Sequence, residues 1–183
     1  MIPDHELVAS ARTGDTDAFC ALLERHRVVA LRVGYTIAGR DAEDAVQEAM
    51  VKAFRHLERF RPGSAFRPWF LAIVANEARN RRRSSSRQDA VSLKLRARTG
   101  SEHAAWERSA EDGALAMEQR DRLLAAVAAL SDRDREVVAL RFFAGLTEAE
   151  TGDALGCPLG TVKSRLSRAI ERLRDALREE VVT

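Results

Sequence analysis

Asn76, Arg79, Asn80, Arg81, Arg82, Arg83 and Arg87 gather amide and guanidinium groups in one stretch, and Thr161, Lys163, Ser164, Arg165, Ser167 and Arg168 gather hydroxyls and cations in another. Such groups grip phosphate and read base edges: arginine forks onto guanine, amides pair with adenine, and hydroxyls serve either role. Near the first stretch, Phe66 and Trp69 are candidates to stack on an exposed base, although aromatics at helical spacing more often pack inside. A third constellation has the opposite sign. Asp41, Glu43, Asp44 and Glu48 give residues 41–48 a net charge of −4 and are expected to face no basic residue. Acid near a helix N-terminus is stabilising in its own right; if this face binds anything, its partner is a basic protein surface, not DNA.

Enzyme chemistry has no comparable footing. The chain shows no glycine-rich phosphate loop and no metalloprotease helix, and His5, His26, His56, His103, Cys20 and Cys157 are scattered without ligand spacing. The expectation is a protein without catalytic residues, metal or cofactor.

The elements that must present these groups are helices. From Asp15 to Arg83 apolar residues recur at helical spacing, through Phe19, Leu22, Leu23, Val46, Met50, Ala53, Leu57, Trp69, Phe70, Ile73 and Val74. Asp41 with Asp44 resembles an N-terminal cap, and Arg61 to Ser64 is a loop. Ser84 to Gly113 has no sustained apolar period and is expected to be a flexible linker of 30 residues, averaging roughly 30 Å end to end.

Periodicity returns from Leu115. Ser131 should cap a helix carrying Val137, Val138 and Leu140; Thr147 and Glu150 form a capping box for a short helix ending at Gly156, and Pro158 opens a long final helix. Short helix, glycine turn and longer helix make a helix-turn-helix pattern. On the last helix Val162, Leu166, Ala169, Leu173 and Leu177 form one apolar stripe, and residues 163–178 carry a net charge of +4. A solvated amphipathic helix would show the same period and charge, and arginines at a helix end also complement its dipole. The turn just before the last helix favours duplex DNA.

Composition agrees with an all-α chain: 183 residues, 45% hydrophobic but only 5% aromatic, 32% charged, with 10 Gly and 4 Pro. The formal net charge is only +2, so the distribution of charge carries the information. Two cysteines are too few for a disulfide framework, no apolar run nears membrane-spanning length, and Asp4 and Glu6 stand where a secretory signal would be basic and then apolar. A cytoplasmic protein without membrane insertion is expected.

Asp41-Ala-Glu-Asp-Ala-Val-Gln-Glu-Ala-Met-Val-Lys-Ala-Phe-Arg55 resembles the polymerase-binding helix of the sigma-70 family, and Gly160-Thr-Val-Lys-Ser-Arg-Leu-Ser-Arg-Ala169 resembles the promoter helix of its extracytoplasmic-function (ECF) branch. The resemblance implies two small helical domains: residues 1–83 binding core polymerase and the minus-ten element, and residues 114–183 reading the minus-thirty-five element, with 84–113 as linker. It implies that Asp44, Gln47 and Glu48 dock on the β′ clamp helices and that the β flap is a further contact. Arg61, Ser64, Asn76, Arg79, Asn80 and Arg83 would capture the melted minus-ten strand, and Thr161, Lys163, Ser164, Arg165 and Arg168 would read duplex DNA. It also implies control by an anti-sigma factor. Two departures stand out. Glu150-Thr151-Gly152 replaces the usual Glu-Ile-Ala, setting a hydroxyl at a packing position and a glycine that costs about 1 kcal/mol of helix propensity, so marginal stability of the second domain is expected. Asn80 stands where an acidic residue is common.

Overall fold

The computed structural model describes residues 2–61, 63–93 and 114–179, and among them the regular elements are all helical. An N-terminal group comprises α1 (Asp4–Arg12), α2 (Thr16–Ala38), α3 (Ala42–His56) and α4 (Phe66–Leu93). A C-terminal group comprises α5 (Ala114–Ala129), α6 (Asp132–Val138), α7 (Glu148–Leu155) and α8 (Leu159–Glu179).

In the N-terminal group, the Asp15 carboxylate accepts from the Ala18 amide at 3.0 Å and so starts α2. Leu22, Ala30 and Val33 of α2 then bury against Ala45, Val46 and Ala49 of α3 and Phe70, Leu71 and Val74 of α4. Helices α2 and α3 approach closely at Gly34, where a Cβ would lie 3.2 Å from Val46. Phe60, Phe66, Trp69 and Phe70 close the base of the core, with Phe60 and Trp69 edge to face at 5.0 Å. Helix α1 is tied down where Asp4 receives both Arg25 and the buried His26, the latter at 2.7 Å. Burial raises the Asp4 carboxyl's pKa, but these hydrogen bonds outweigh it and leave the group below the ordinary carboxylate range.

The C-terminal group is built around a buried cation. Arg135 sends Nε to the Val127 carbonyl at 3.1 Å and one terminal nitrogen to both the Ala128 and Leu130 carbonyls, satisfying the end of α5. Burial pushes the Arg135 pKa down to about 10, so the guanidinium stays charged at neutral pH. Ser131 caps α6 as expected, accepting from the Asp134 amide. Past Val138 the helix widens into a π turn over Ala139–Phe143 and stops at Gly145, whose φ is +65°.

One point that the sequence leaves open is decided here, and one expectation needs correction. The two groups pack together: Ala139, Leu140, Ala144 and Leu146 belong to the same buried cluster as Leu22, Val33 and Phe70. Residues 137–140 are buried in succession because one side faces α8 and the other faces α2, and a helix apolar all round must be enclosed. Helix α4 also continues through Ser84–Leu93, the first ten residues of the expected linker. That stretch contains no glycine or proline, and the Ser85 hydroxyl donates to the carboxylate of Asp41, just ahead of α3. The remainder of the expected linker, residues 94–113, lies outside the described residues.

Candidate nucleic-acid interface

Helix α7 begins with the expected capping box: Thr147 Oγ1 accepts from the Glu150 amide, and Glu150 Oε2 accepts from the Thr147 amide at 2.8 Å. Those hydrogen bonds from Thr147 hold the Glu150 carboxyl below its ordinary pKa. The helix ends at Gly156 in the left-handed conformation, φ +60°. The Thr151 and Gly152 departures do not act as expected. Thr151 is fully buried, yet its hydroxyl donates to the Thr147 carbonyl at 2.8 Å and leaves no unsatisfied polar atom. At Gly152 a Cβ would sit 2.9 Å from the Cys157 carbonyl oxygen, so glycine is what lets the turn fold back on α7. Neither residue supports the expected marginal stability.

That turn launches α8, with Pro158 one residue ahead of the helix and its carbonyl accepting from Thr161 at 2.8 Å. Val162, Leu166 and Ala169 are buried and Leu173 and Leu177 half-buried, so the apolar stripe packs inward. Outward stand Lys163, Ser164, Ser167 and Arg168, flanked by the half-buried Thr161 and Arg165. Ser164 donates to the Thr161 carbonyl at 3.1 Å, which leaves its lone pairs free to accept. Lys163 lies 3.9 Å from Glu148. Arg172, counted toward the basic face from sequence, is instead bound to the buried Asp134 at 2.8 Å.

On α4, Asn76, Asn80 and Arg83 are exposed and follow one another at helical spacing along one face. Arg61 and Ser64 are exposed on the loop before α4, where the Ser64 amide reaches the Arg61 carbonyl at 3.2 Å and Gly63 supplies a φ of +81°. They line a cleft of about 490 Å³ floored by Phe60 and Trp69, with Glu150 and Asp153 of α7 on its far wall. Trp69 also lines a second groove, of about 460 Å³, together with Asn76, Lys52 and Glu77. The half-buried Trp69 ring therefore joins the loop to the α4 face. Phe66 cannot stack on a base, because it is only 2% exposed and wedged among other rings.

Arg79 is turned elsewhere. Its guanidinium makes a two-pronged contact with Glu136 of α6, Nε to Oε1 and a terminal nitrogen to Oε2 at 2.7 Å, and that hydrogen bonding raises its pKa. Arg82 reaches Asp132 at 3.1 Å and the Ile37 carbonyl at 3.3 Å, and Arg67 donates to the Ala144 carbonyl. Arg79 and Arg82, read from sequence as part of a cluster for DNA, thus join the two helical groups together with Arg67.

The acidic face is also partly matched, contrary to expectation. Asp44 lies 3.4 Å from Arg81, and Glu48 3.8 Å from Lys52, which also binds the buried Glu77 at 2.6 Å. Asp41 accepts from Ser85 and makes no cap hydrogen bond to α3. Asp44 and Gln47 remain exposed and Glu48 half-exposed, and the same face of α3 continues into the exposed Val51 and Phe54. Those two residues were missed in sequence, though the available signal was the helical spacing that sets Val51 four residues after Gln47 and Phe54 three after Val51. The face is mixed, acidic with an apolar end, which suits a protein partner.

Among the described residues no group of three His, Cys, Asp or Glu side chains could hold a metal, and no helix is long and apolar enough to cross a membrane. The family model for sigma-70 region 2 matches residues 22–88, and that for sigma-70 region 4 matches residues 126–175. The chain is 36% identical to the ECF RNA polymerase sigma-E factor of Escherichia coli, over 94% of this chain and 93% of that one. It is 31% identical to the RNA polymerase sigma-H factor of Pseudomonas aeruginosa, over 95% and 93%. Among solved structures it is similar to CnrH in complex with the cytosolic domain of CnrY, with a TM-score of 0.72, 25% identity and coverage of 96% and 97%. It is likewise similar to the sigma factor RpoE in complex with the anti-sigma factor NepR from Bartonella quintana, with a TM-score of 0.65, 27% identity and coverage of 85% and 95%.

Proposed function

The chain belongs to the ECF branch of the sigma-70 family, whose members direct RNA polymerase to promoters, and from that premise we propose how its parts divide the work. Residues 1–83 bind core polymerase and capture the minus-ten strand; residues 114–183 read the minus-thirty-five duplex. The carrying observation is that α3, α4 and α8 each turn a chemically distinct face outward: acidic and apolar, amide-rich, and hydroxyl-rich with cations.

Asp44, Gln47 and Glu48, extended by Val51 and Phe54, dock on the β′ clamp helices, with charge steering the approach and the apolar end excluding water. The C-terminal group takes the β flap. Arg61 and Ser64 border the cleft that receives a flipped base, Trp69 offers it a stacking surface, and Asn76, Asn80, Arg79 and Arg83 follow the strand. These contacts offset an unstacking cost of a few kcal/mol per base. Thr161, Lys163, Ser164, Arg165 and Arg168 enter the major groove. The chain supplies no covalent step, metal or cofactor; nucleotide addition belongs to polymerase, and the chain acts in the cytoplasm where polymerase is. The complex of RpoE with the anti-sigma factor NepR supports control by an anti-sigma factor.

Run-off transcription with core polymerase, with and without this chain, tests the assignment. Asp44→Arg with Glu48→Arg should abolish holoenzyme while both helical groups stay folded by circular dichroism; undiminished core binding refutes the α3 interface. Arg168→Ala should cost roughly 1–3 kcal/mol and relax preference at one base pair. Uniform weakening on all sequences would make it a phosphate contact instead.

A further inference from the structure

Resting on the duplex-reading role of α8, we propose that Glu148, the first residue of α7, is a specificity-determining residue that holds Lys163 toward a base edge and away from phosphate. Lysine carries a compact charge on a flexible stem with three rotatable donors, so by itself it takes a phosphate oxygen as readily as a base. The Glu148 carboxylate lies 3.9 Å from the Lys163 ammonium. It engages that group from one side, and the donors left over suit the N7 and O6 acceptors of guanine.

Packing fixes where that carboxylate stands. At Gly152 a Cβ would lie 2.9 Å from the Cys157 carbonyl oxygen and 3.6 Å from Val162, so α7 and α8 are locked in register at that point. Glu148 lies one turn before Gly152 on the same face of α7, and Lys163 follows Val162 on α8. The pair therefore bridges the two helices of the helix-turn-helix beside the end of α8 that enters the groove. Lys163 is exposed and Glu148 half-exposed, so DNA reaches both. Farther along α8, Arg168 has no ion-pair partner among the described residues and serves as a control on the same helix. Charge completes the argument. Lys163 and Glu148 together carry no net charge, which weakens the sequence-independent pull of phosphates at this spot and leaves base readout in place. The ratio of affinities for right and wrong sites rises accordingly.

Holoenzyme is the test material, offered a pool of duplexes randomised across the minus-thirty-five box. Wild type should select guanine at the base pair whose preference Lys163→Ala removes. Glu148→Gln should relax that preference about threefold, the order expected of one exposed ion pair, and leave the preference set by Arg168 unchanged. Binding to a scrambled duplex should tighten by about the same factor, and the slope of log affinity against log salt should steepen by about one as Lys163 turns to a phosphate. Glu148→Asp keeps a negative charge at the start of α7 but draws it back by one methylene, so it should relax the preference without lowering the melting temperature. If Glu148→Asp selects like wild type, Glu148 is only a partner of the helix dipole and the proposal is overturned. A Glu148→Gln effect that persists in a Lys163→Ala background overturns it too, since the carboxylate acts through that lysine alone. The same selections separate the proposal from the reading beneath it. Where Lys163→Ala loses one preferred base and Glu148→Gln loses none, the tether is rejected and α8 remains the reader; where neither Lys163→Ala nor Arg168→Ala alters selection, α8 is rejected as the reader and the tether falls with it.

Discussion

Around Phe70 the N-terminal helices bury Leu22, Val33, Leu71 and Val74 against one another, whereas at comparable depth in the C-terminal group sits the guanidinium of Arg135. One group is held by apolar bulk. The other has smaller apolar clusters, around Val127, Leu130, Val138 and Ala169 and around Val137, Val162 and Leu166, and relies on buried hydrogen bonds to close its helix ends. The smaller group also borrows core from the larger through Leu140 and Leu146. Dependence therefore runs in one direction: the C-terminal helices need the N-terminal ones more than the reverse.

The largest effect should come from Phe70→Ala, which leaves a cavity in the shared cluster and should cost about 3–5 kcal/mol. Hydrogen exchange should then speed up at Leu140 and Leu146 as well as throughout α2 and α4; a loss confined to the N-terminal helices would break the comparison. Next, Arg135→Leu strands the Ala128 and Leu130 carbonyls, the Val127 carbonyl keeping the Leu130 amide, and should cost about 2–3 kcal/mol, at about 1–1.5 for each of the two. Its exchange should accelerate in α5 to α8 alone, and spread into α3 would contradict the stated direction. A smaller effect is expected at Gly152→Ala, where about 1 kcal/mol of helix propensity is gained but a backbone clash of about 1–3 kcal/mol is introduced, so the melting temperature should fall. A rise would restore the view from sequence that Gly152 weakens the domain.

Smallest is the pH effect at Glu150. Its folded pKa lies below the unfolded value, so its stabilisation is complete above the ordinary carboxylate range and is lost as pH falls through the lowered folded pKa. Glu150→Gln should therefore narrow the gap between the melting temperatures at neutral and acid pH, with the change confined to the C-terminal helices. An unaltered gap would show that the capping box contributes through hydrogen bonding alone.

What could be read from sequence was local. The Thr147 to Glu150 box, the stop at Gly156 and the inward stripe of α8 depend on residues within a turn or two of each other, where chain geometry fixes the neighbours. The pairs Arg79 with Glu136 and Asp44 with Arg81 could not be read, being 57 and 37 residues apart and decided by how whole helices pack. Phe66 failed for the same reason: its type allows stacking on a base, but its depth depends on Phe60, Trp69 and Phe70 closing over it. Asp41 was misjudged because Ser85, on a distant turn of α4, takes the carboxylate that would have capped α3.

The length of α4 sets a limit on how the protein can straddle a promoter. At 28 residues it is a strut of about 42 Å, and the chain leaves it at Leu93. Only residues 94–113 remain between Leu93 and Ala114, a span that covalent geometry caps at about 70 Å. Where α4 aims its end therefore decides how far along the DNA the second reader can land.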